Sequence, residues 1–461
     1  MKQWLLGLGA LTIIVVLLVG CSADFQRGAR AFDQRHFAEA FQQWTPLAER
    51  GDARAQFMLG LMYEKGNGVP QNPDQAASWY RLAAEQGHAA AQNNLGLLHY
   101  IGRGVPQDRE EAAKWYQLAA EQGFASAQSS LGLMHLLGRG VAKDETQAVE
   151  LLRKAAEREN AGAQFLLGAM HYDGLGLPQD YKAAARWYRH AADQGFSRAQ
   201  YSLGVMYEQG QGVAQSDAKA AKLHRRAAER GLAPAQHNLG VMYANGRGIA
   251  QDYTEAAILY EQAAEQGHAP SQNNLGLLFI EGRGVPQNYD QAAKWLQRAA
   301  DQGVAQSQYS LGWMHYQGHG VSKDDAEAAK WLRLAADQGL PLAQLNLGLM
   351  HLQGRGVRQN DEVAAGLYRR AAEQGLAAAQ HRLGLMHQHG RGVPQCDVAA
   401  YMWFSLGASQ GHAPAIEHRE ILGRNMTAAH RAQADQLAVQ WSQRRDTVAQ
   451  QLSRAPIDSD E

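Results

Sequence analysis

Apolar residues along this chain return on a helical period. Ala55, Leu59, Met62 and Gly66 fall at i, i+4, i+7 and i+11, one face of a helix. A second apolar run follows, with Ala76, Ala77, Tyr80, Ala83 and Ala84 ahead of Gly87. This predicts two short helices packed through a face of small residues. The whole pattern then recurs. A Leu-Gly pair has its glycine at 60, 96, 132, 168, 204, 240, 276, 312, 348 and 384, always 36 apart. Six residues after each comes a Gly-x-Gly, from Gly66-Asn67-Gly68 to Gly390-Arg391-Gly392. A helix pair of this size cannot bury its apolar face alone, so the copies must stack. The predicted fold is all-α, an α-solenoid (right-handed superhelix) of ten 36-residue helix-turn-helix repeats.

Local chemistry agrees with that reading. Gly60 costs helix A about 1 kcal/mol against alanine, so its recurrence implies a close helix–helix approach. Gly66 suits the left-handed position that ends helix A. Helix B then opens at Asn72, Asp108, Asp144, Asp180, Ser216, Asp252, Asn288, Asp324 and Asn360, all good N-caps. Gln75, Glu111, Gln147, Glu255, Gln291 and Glu327 follow three residues later, in capping-box spacing. Two departures stand out: Glu159-Asn160 replaces the closing glycine of the third repeat, and Cys396 replaces a capping Asn or Asp in the tenth.

The repeats are expected over residues 52–411. Residues 25–51 hold Trp44 and Ala48-Glu49-Arg50-Gly51 without the long loop, and suit a shortened helix-pair cap. Residues 412–455 suit C-terminal capping helices: Ile416, Ile421 and Leu422 on one, then Thr427 as N-cap for another with an Ala434, Leu437, Ala438, Trp441 stripe. Residues 456–461 form an acidic tail expected to be disordered.

The N-terminus breaks the pattern. Lys2 precedes an uncharged run from Leu5 to Val19, short of the roughly 20 residues a spanning helix needs but right for an export signal. It ends in Leu18-Val19-Gly20-Cys21, which resembles the lipobox of bacterial lipoproteins. The resemblance implies a signal peptide over 1–20, lipidation of Cys21, and a short tether over 21–24. Ser22 rather than aspartate after the cysteine implies the outer membrane, facing the periplasm.

The elements Leu-Gly-x-x-Tyr/His, Gly-x-Gly-Val, Ala-x-x-Trp-Tyr and Ala-Ala-x-x-Gly resemble the Sel1-like repeat family, which is related to tetratricopeptide arrays. They run from about Gly51 to Gly411. The resemblance implies a scaffold that binds protein through the concave, helix A side of its solenoid.

Charge and chemistry narrow the function. Lys+Arg 44 against Asp+Glu 45 gives a net charge of -1, with no overall basic excess to attract nucleic acid. Two cysteines exclude a disulfide framework or a cysteine-built metal site. His99, His135, His171, His315, His351 and His387 share one repeat position with Tyr63, Tyr207, Tyr243 and Phe279. Rungs about 8–10 Å apart cannot readily share one metal, so the position calls for a flat ring, not a ligand. Cys396 sits at a helix N-terminus, which favours a thiolate, but no base or oxyanion site accompanies it. Neither metal, cofactor nor catalytic residue is expected. Some cysteine-rich Sel1-like proteins are linked to β-lactams, but their paired cysteines are absent here.

With 55, 59 and 62 inward, positions 57, 58, 61, 64 and 65 are expected to face solvent. The candidate protein-binding residues there are Asn94, Tyr100, Tyr172, Tyr201, Asn238, Asn274, Tyr309, Trp313, Tyr316 and Asn346. Asparagine can pair with a peptide backbone, and Tyr and Trp offer rigid contact area. Tyr309, Trp313 and Tyr316 form the densest group. The expected function is a non-enzymatic envelope scaffold for an exported or envelope protein or extended peptide. Alternatives are an envelope hydrolase of β-lactams or cell-wall peptides, and a scaffold of an exopolysaccharide secretion machine.

Overall fold

How closely two helices can lie depends on what stands between them, and here it is glycine against a ring. In the computed structural model, which describes residues 23–454, helix A of the first repeat is Ala53–Lys65 and helix B is Pro73–Glu85. A Cβ added at Gly60 would lie 2.5 Å from the Tyr80 ring, and one at Gly384 2.5 Å from Phe404. Alanines on helix B complete the tight seam, with Ala76, Ala83 and Leu59 fully buried. The pair recurs through to Ala377–His389 and Asp397–Ala408, and no strand occurs among the described residues. The fold is an all-α solenoid.

The turn between the helices shows why both glycines of Gly-x-Gly are needed. Gly66 has φ 74 and its N–H bonds Met62 O at 2.8 Å, ending helix A. The second glycine has a different task. At Gly104 (φ +71) a Cβ would collide with the Pro73 carbonyl of the preceding repeat, and Gly140 meets Arg109 in the same way. The residue between them reaches back to the previous rung: Arg139 donates to Tyr100 OH at 3.4 Å and Gln211 accepts from Tyr172 OH at 2.7 Å.

Helix B is capped as expected, with one correction. Asn72 Oδ1 accepts from Gln75 N at 3.1 Å, and Asp108 Oδ1 from Glu111 N at 2.9 Å. The reciprocal arm of a capping box is not formed. The N-cap N–H is already committed to helix A, Asn72 N to Tyr63 O and Asp108 N to His99 O, each at 2.9 Å. Those same ring positions hold the loop: His135 Nδ1 donates to Ala142 O at 3.2 Å and His387 Nδ1 to Pro394 O at 3.3 Å.

A glutamine in each helix A ties the stack together. Gln92, only 4% exposed, donates to Ala84 O of the preceding repeat at 3.0 Å and accepts from Gln122 of its own at 2.7 Å. The bond pattern recurs at Gln164, Gln272, Gln308 and Gln344.

The chain divides into two units, one ending at Arg230 and one beginning at Gly231. The first opens on a helix over residues 23–33 and the helix Phe37–Glu49, with Trp44 fully buried and donating to Phe25 O at 3.2 Å. Ala23 and Asp24 are therefore helical rather than part of a tether, and Asp24 pairs with Arg27. Glu159 takes φ 61, the left-handed turn its glycine counterparts adopt. The second unit closes on Ala413–Asn425 and Ala428–Arg454. Thr427 Oγ1 accepts from His430 N at 3.2 Å. Ala434, Ala438 and Trp441 face inward and Leu437 is exposed, because only the Trp403 side of the final helix is covered, while Ile421 is exposed on the helix before it. Cys21 and residues 456–461 lie outside the described residues.

Candidate binding site on the helix A face

Helix A touches more than its own helix B. The Phe57 ring inserts between two other rings, 5.7 Å from Tyr80 and stacked at 4.7 Å on His88, and Phe165 lies likewise between Tyr188 and Phe196. Residues 57, 58, 61 and 64 are consequently half-buried, not the open face expected of them, and only Lys65 is exposed.

That geometry scatters the sequence candidates. Tyr201 is an interior ring, 5.5 Å from His224. Asn94 and Asn274 accept hydrogen bonds from Asn93 and Asn273 at 3.1 and 3.2 Å. Burial, which disfavours the phenolate, pushes the Tyr260 hydroxyl up to about 12. Tyr100 lies under the Arg109 guanidinium at 5.8 Å, and Tyr172 packs edge-on to Tyr181 at 5.1 Å. Asn238 is half-buried. These residues mainly join neighbouring helices.

Four candidates do converge, in the second unit. A pocket of about 200 Å³ is lined by Trp313, Tyr316, Gln317, Leu332, Asn346, Leu349 and Met350. Tyr309 joins it through its hydroxyl, which accepts from Asn346 Nδ2 at 3.3 Å. The room has a local cause. Leu332 occupies the place held by Tyr80, Tyr116, Tyr188, Tyr260 and Tyr368 in other repeats, so no ring fills the seam. Trp313 meanwhile replaces the aliphatic residue of its position and forms a wall, edge-on to His319 at 5.3 Å.

The pocket is apolar with a polar edge. Arg355 lies 4.1 Å over the Tyr316 ring, donates to its hydroxyl, and gives its remaining N–H groups to Asp325 at 2.9 and 3.2 Å. The hydrogen-bonded Asp325 carboxylate raises the Arg355 pKa further, so this charge is permanent. Gln317 and Asn346 supply amides that can both donate and accept. Such a site can seat one apolar side chain and pair with the backbone beside it. Sequence reasoning missed Gln317, Leu349 and Arg355, although Gln317 is i+4 from Trp313 and Leu349 lies one repeat on. Among the described residues no group of three His, Cys, Asp or Glu could hold a metal ion.

A stacked array of helix pairs defines a repeat solenoid. The Sel1 repeat model matches ten consecutive stretches, 53–88, 89–124, 125–160, 161–196, 197–232, 233–268, 269–304, 305–340, 341–376 and 377–412. The chain belongs to the Sel1 repeat family. It is 35% identical to a protective antigen present in uropathogenic Escherichia coli strains that displays an SLR fold, with 96% of both chains covered and a TM-score of 0.82. It is 34% identical to a Sel1 repeat protein from Oxalobacter formigenes, covering 67% of this chain and 89% of that one, at a TM-score of 0.53. No curated protein matches the chain.

Proposed function

We propose that this chain is a non-enzymatic envelope scaffold that holds a protein or extended peptide on its helix A face. Sel1 repeat solenoids typically serve protein–protein interaction. The observation that carries the finer reading is the pocket between Trp313, Tyr316 and Asn346, an apolar seat with an amide edge. An extended segment would place one side chain there while its backbone meets Asn346 and Gln317. Tyr309 contributes by orienting Asn346.

The same proposal places the protein on a membrane by a lipid at Cys21. Its support is the uncharged run ending in Leu18-Val19-Gly20-Cys21, since several acyl chains together anchor stably. Ser22 after that cysteine supports the outer membrane, facing the periplasm. Fatty-acid labelling that persists in a Cys21→Ser variant would remove this part.

Affinity purification in mild detergent tests the binding part. The native chain is compared with a Tyr309→Ala/Trp313→Ala/Tyr316→Ala variant shown to unfold at an unchanged midpoint. A partner retained by the native chain and lost from the variant is the expected result. The same partners on both would move recognition off the helix A face.

A further inference from the structure

The net charge of -1 conceals a segregation of charge along the first unit. Helix B of the fourth repeat, Tyr181–Asp193, carries Lys182, Arg186 and Arg189 against Asp193 alone. Helix B of the fifth, Asp217–Glu229, carries Lys219, Lys222, Arg225 and Arg226 against Asp217 and Glu229. Helix B has no positive balance in any other repeat. Because the repeats are in register, Arg186 and Lys222 are equivalent, as are Arg189 and Arg225. Lys182, Arg186 and Arg189 follow i, i+4, i+7 along one face of the fourth repeat's helix B. All seven cations are exposed.

The acid nearest this face is already engaged, and four of its cations carry no ion pair among the described residues. Asp180 is spent as an N-cap, accepting from Lys182 N at 2.9 Å and Ala183 N at 3.0 Å. Lys182, Arg186, Lys222 and Arg226 make no salt bridge among the described residues. Arg189 is held outward by its bond to Tyr207 OH at 3.1 Å, and Lys219 sits 5.3 Å over the same ring. Between the two rungs runs a groove of about 400 Å³, with Lys182, Arg186 and Arg189 on its wall beside the capping Asp180, and Gly212 and Val213 at its other side. Like charges gathered on one face repel one another and gain when an anion lies between them.

We infer that the helix B face of the fourth and fifth repeats is a second interaction surface, which docks an acidic polypeptide segment. Its carboxylates would bridge Lys182, Arg186 and Arg189 to Lys222 and Arg226. Arginine forks match carboxylates in two-bond geometry, and the half-buried Val213 gives the segment's aliphatic atoms an apolar contact, which a purely ionic polymer would not use. The inference is independent of the Trp313 pocket, since every residue it uses belongs to the first unit.

The test uses the full chain in detergent and a fluorescent peptide of alternating Glu and Leu, with its Gln/Leu counterpart as the neutral control. The Glu/Leu peptide is expected to bind at low salt, to weaken as salt rises, and to lose about tenfold or more in affinity in a Lys182→Gln/Arg186→Gln/Lys222→Gln variant. An Arg81→Gln/Arg333→Gln/Arg369→Gln variant, which removes the same charge elsewhere, is expected to bind as the native chain does. Equal loss in both variants would reduce the effect to net charge and overturn the site. Equal binding of the neutral peptide would overturn the charge argument. Tighter binding of polygalacturonate or tripolyphosphate than of the peptide would overturn the partner class.

Discussion

Gln86 Nε2 donates to Gln56 Oε1 at 2.7 Å, across the two helices of the first repeat. The bond recurs in most repeats because residue 86 and its equivalents are glutamine. Arg158 and Arg230 take that place in the third and fifth. Their guanidinium groups lie instead against Gly123 and Gly195 of the preceding repeats. Gln128 Oε1 and Gln200 Oε1, on residues only 4% and 3% exposed, are left without a partner.

Restoring the glutamine should therefore stabilise the stack. Arg158→Gln and Arg230→Gln are each expected to raise unfolding stability by about 1 kcal/mol. Gln374 shows that glutamine can serve both sites, bonding Gln344 Oε1 at 3.0 Å and Gly339 O at 2.9 Å. Gln92→Leu should do the opposite, costing about 1–3 kcal/mol by stranding the Ala84 carbonyl. Urea midpoints at constant slope would check all three.

Two glycines of the ninth repeat separate propensity from packing. A Cβ at Gly348 would stand 2.7 Å from the Tyr368 ring, whereas one at Gly366 meets nothing within 4 Å. Gly348→Ala is expected to destabilise by about 1–3 kcal/mol through overpacking. Gly366→Ala should instead stabilise by about 0.5–1 kcal/mol. Opposite signs in one thermal series are the expected outcome, and a shared sign would refute the packing account.

The frame was legible because each helix repeats its own pattern, and glycine, N-cap and small-residue positions depend on local geometry. The face assignment was less legible. One helix's periodicity reveals a single buried stripe, but helix A here packs more than one face, so Tyr201, against His224 of its own repeat, and Asn94, bonded to Asn93, are half-buried joints rather than open surface. The pocket was half legible: Trp313 and Tyr316 were prominent as large rings, while the space between them depends on Leu332, an absence of a ring in another helix. The glutamine pairing escaped because Gln56 and Gln86 look like ordinary polar positions until both helices are placed.

The two irregular repeats give a further pair of outcomes. Cys396 is the N-cap of Asp397–Ala408 and makes no side-chain cap bond, whereas Asn360 Oδ1 accepts from Val363 N at 3.0 Å. Cys396→Asp should add about 1 kcal/mol. Glu159 bears the strain of a left-handed backbone, so Glu159→Gly should be neutral to stabilising by up to about 1 kcal/mol, despite glycine's greater freedom when unfolded. Thermal denaturation of each single variant decides them.

Acid sensitivity should concentrate at two histidine contacts of the second unit. His237 packs 4.9 Å from the His268 ring, and both Nδ1 atoms meet Ser271 Oγ, at 3.0 and 2.9 Å. His381 lies between His412 and His418, with ring distances of 5.3 and 4.9 Å. Burial first, and then the neighbouring imidazoles, push both His237 and His381 down to about 4 from the ordinary 6.5. The unfolded chain is then the better proton binder between those values. Stability is full above pH 6.5, falls as the pH drops from there towards 4, and levels off once the folded imidazoles also protonate. Each residue should contribute on the order of 2 kcal/mol to that fall, allowing for partial solvent screening. Phenylalanine already occupies the position of His237 at Phe57 and Phe165, so His237→Phe and His381→Phe should keep the packing and flatten the pH dependence. Denaturant midpoints at pH 7 and pH 4.5 measure the difference, and an unchanged slope in the double variant would place the titrating groups elsewhere.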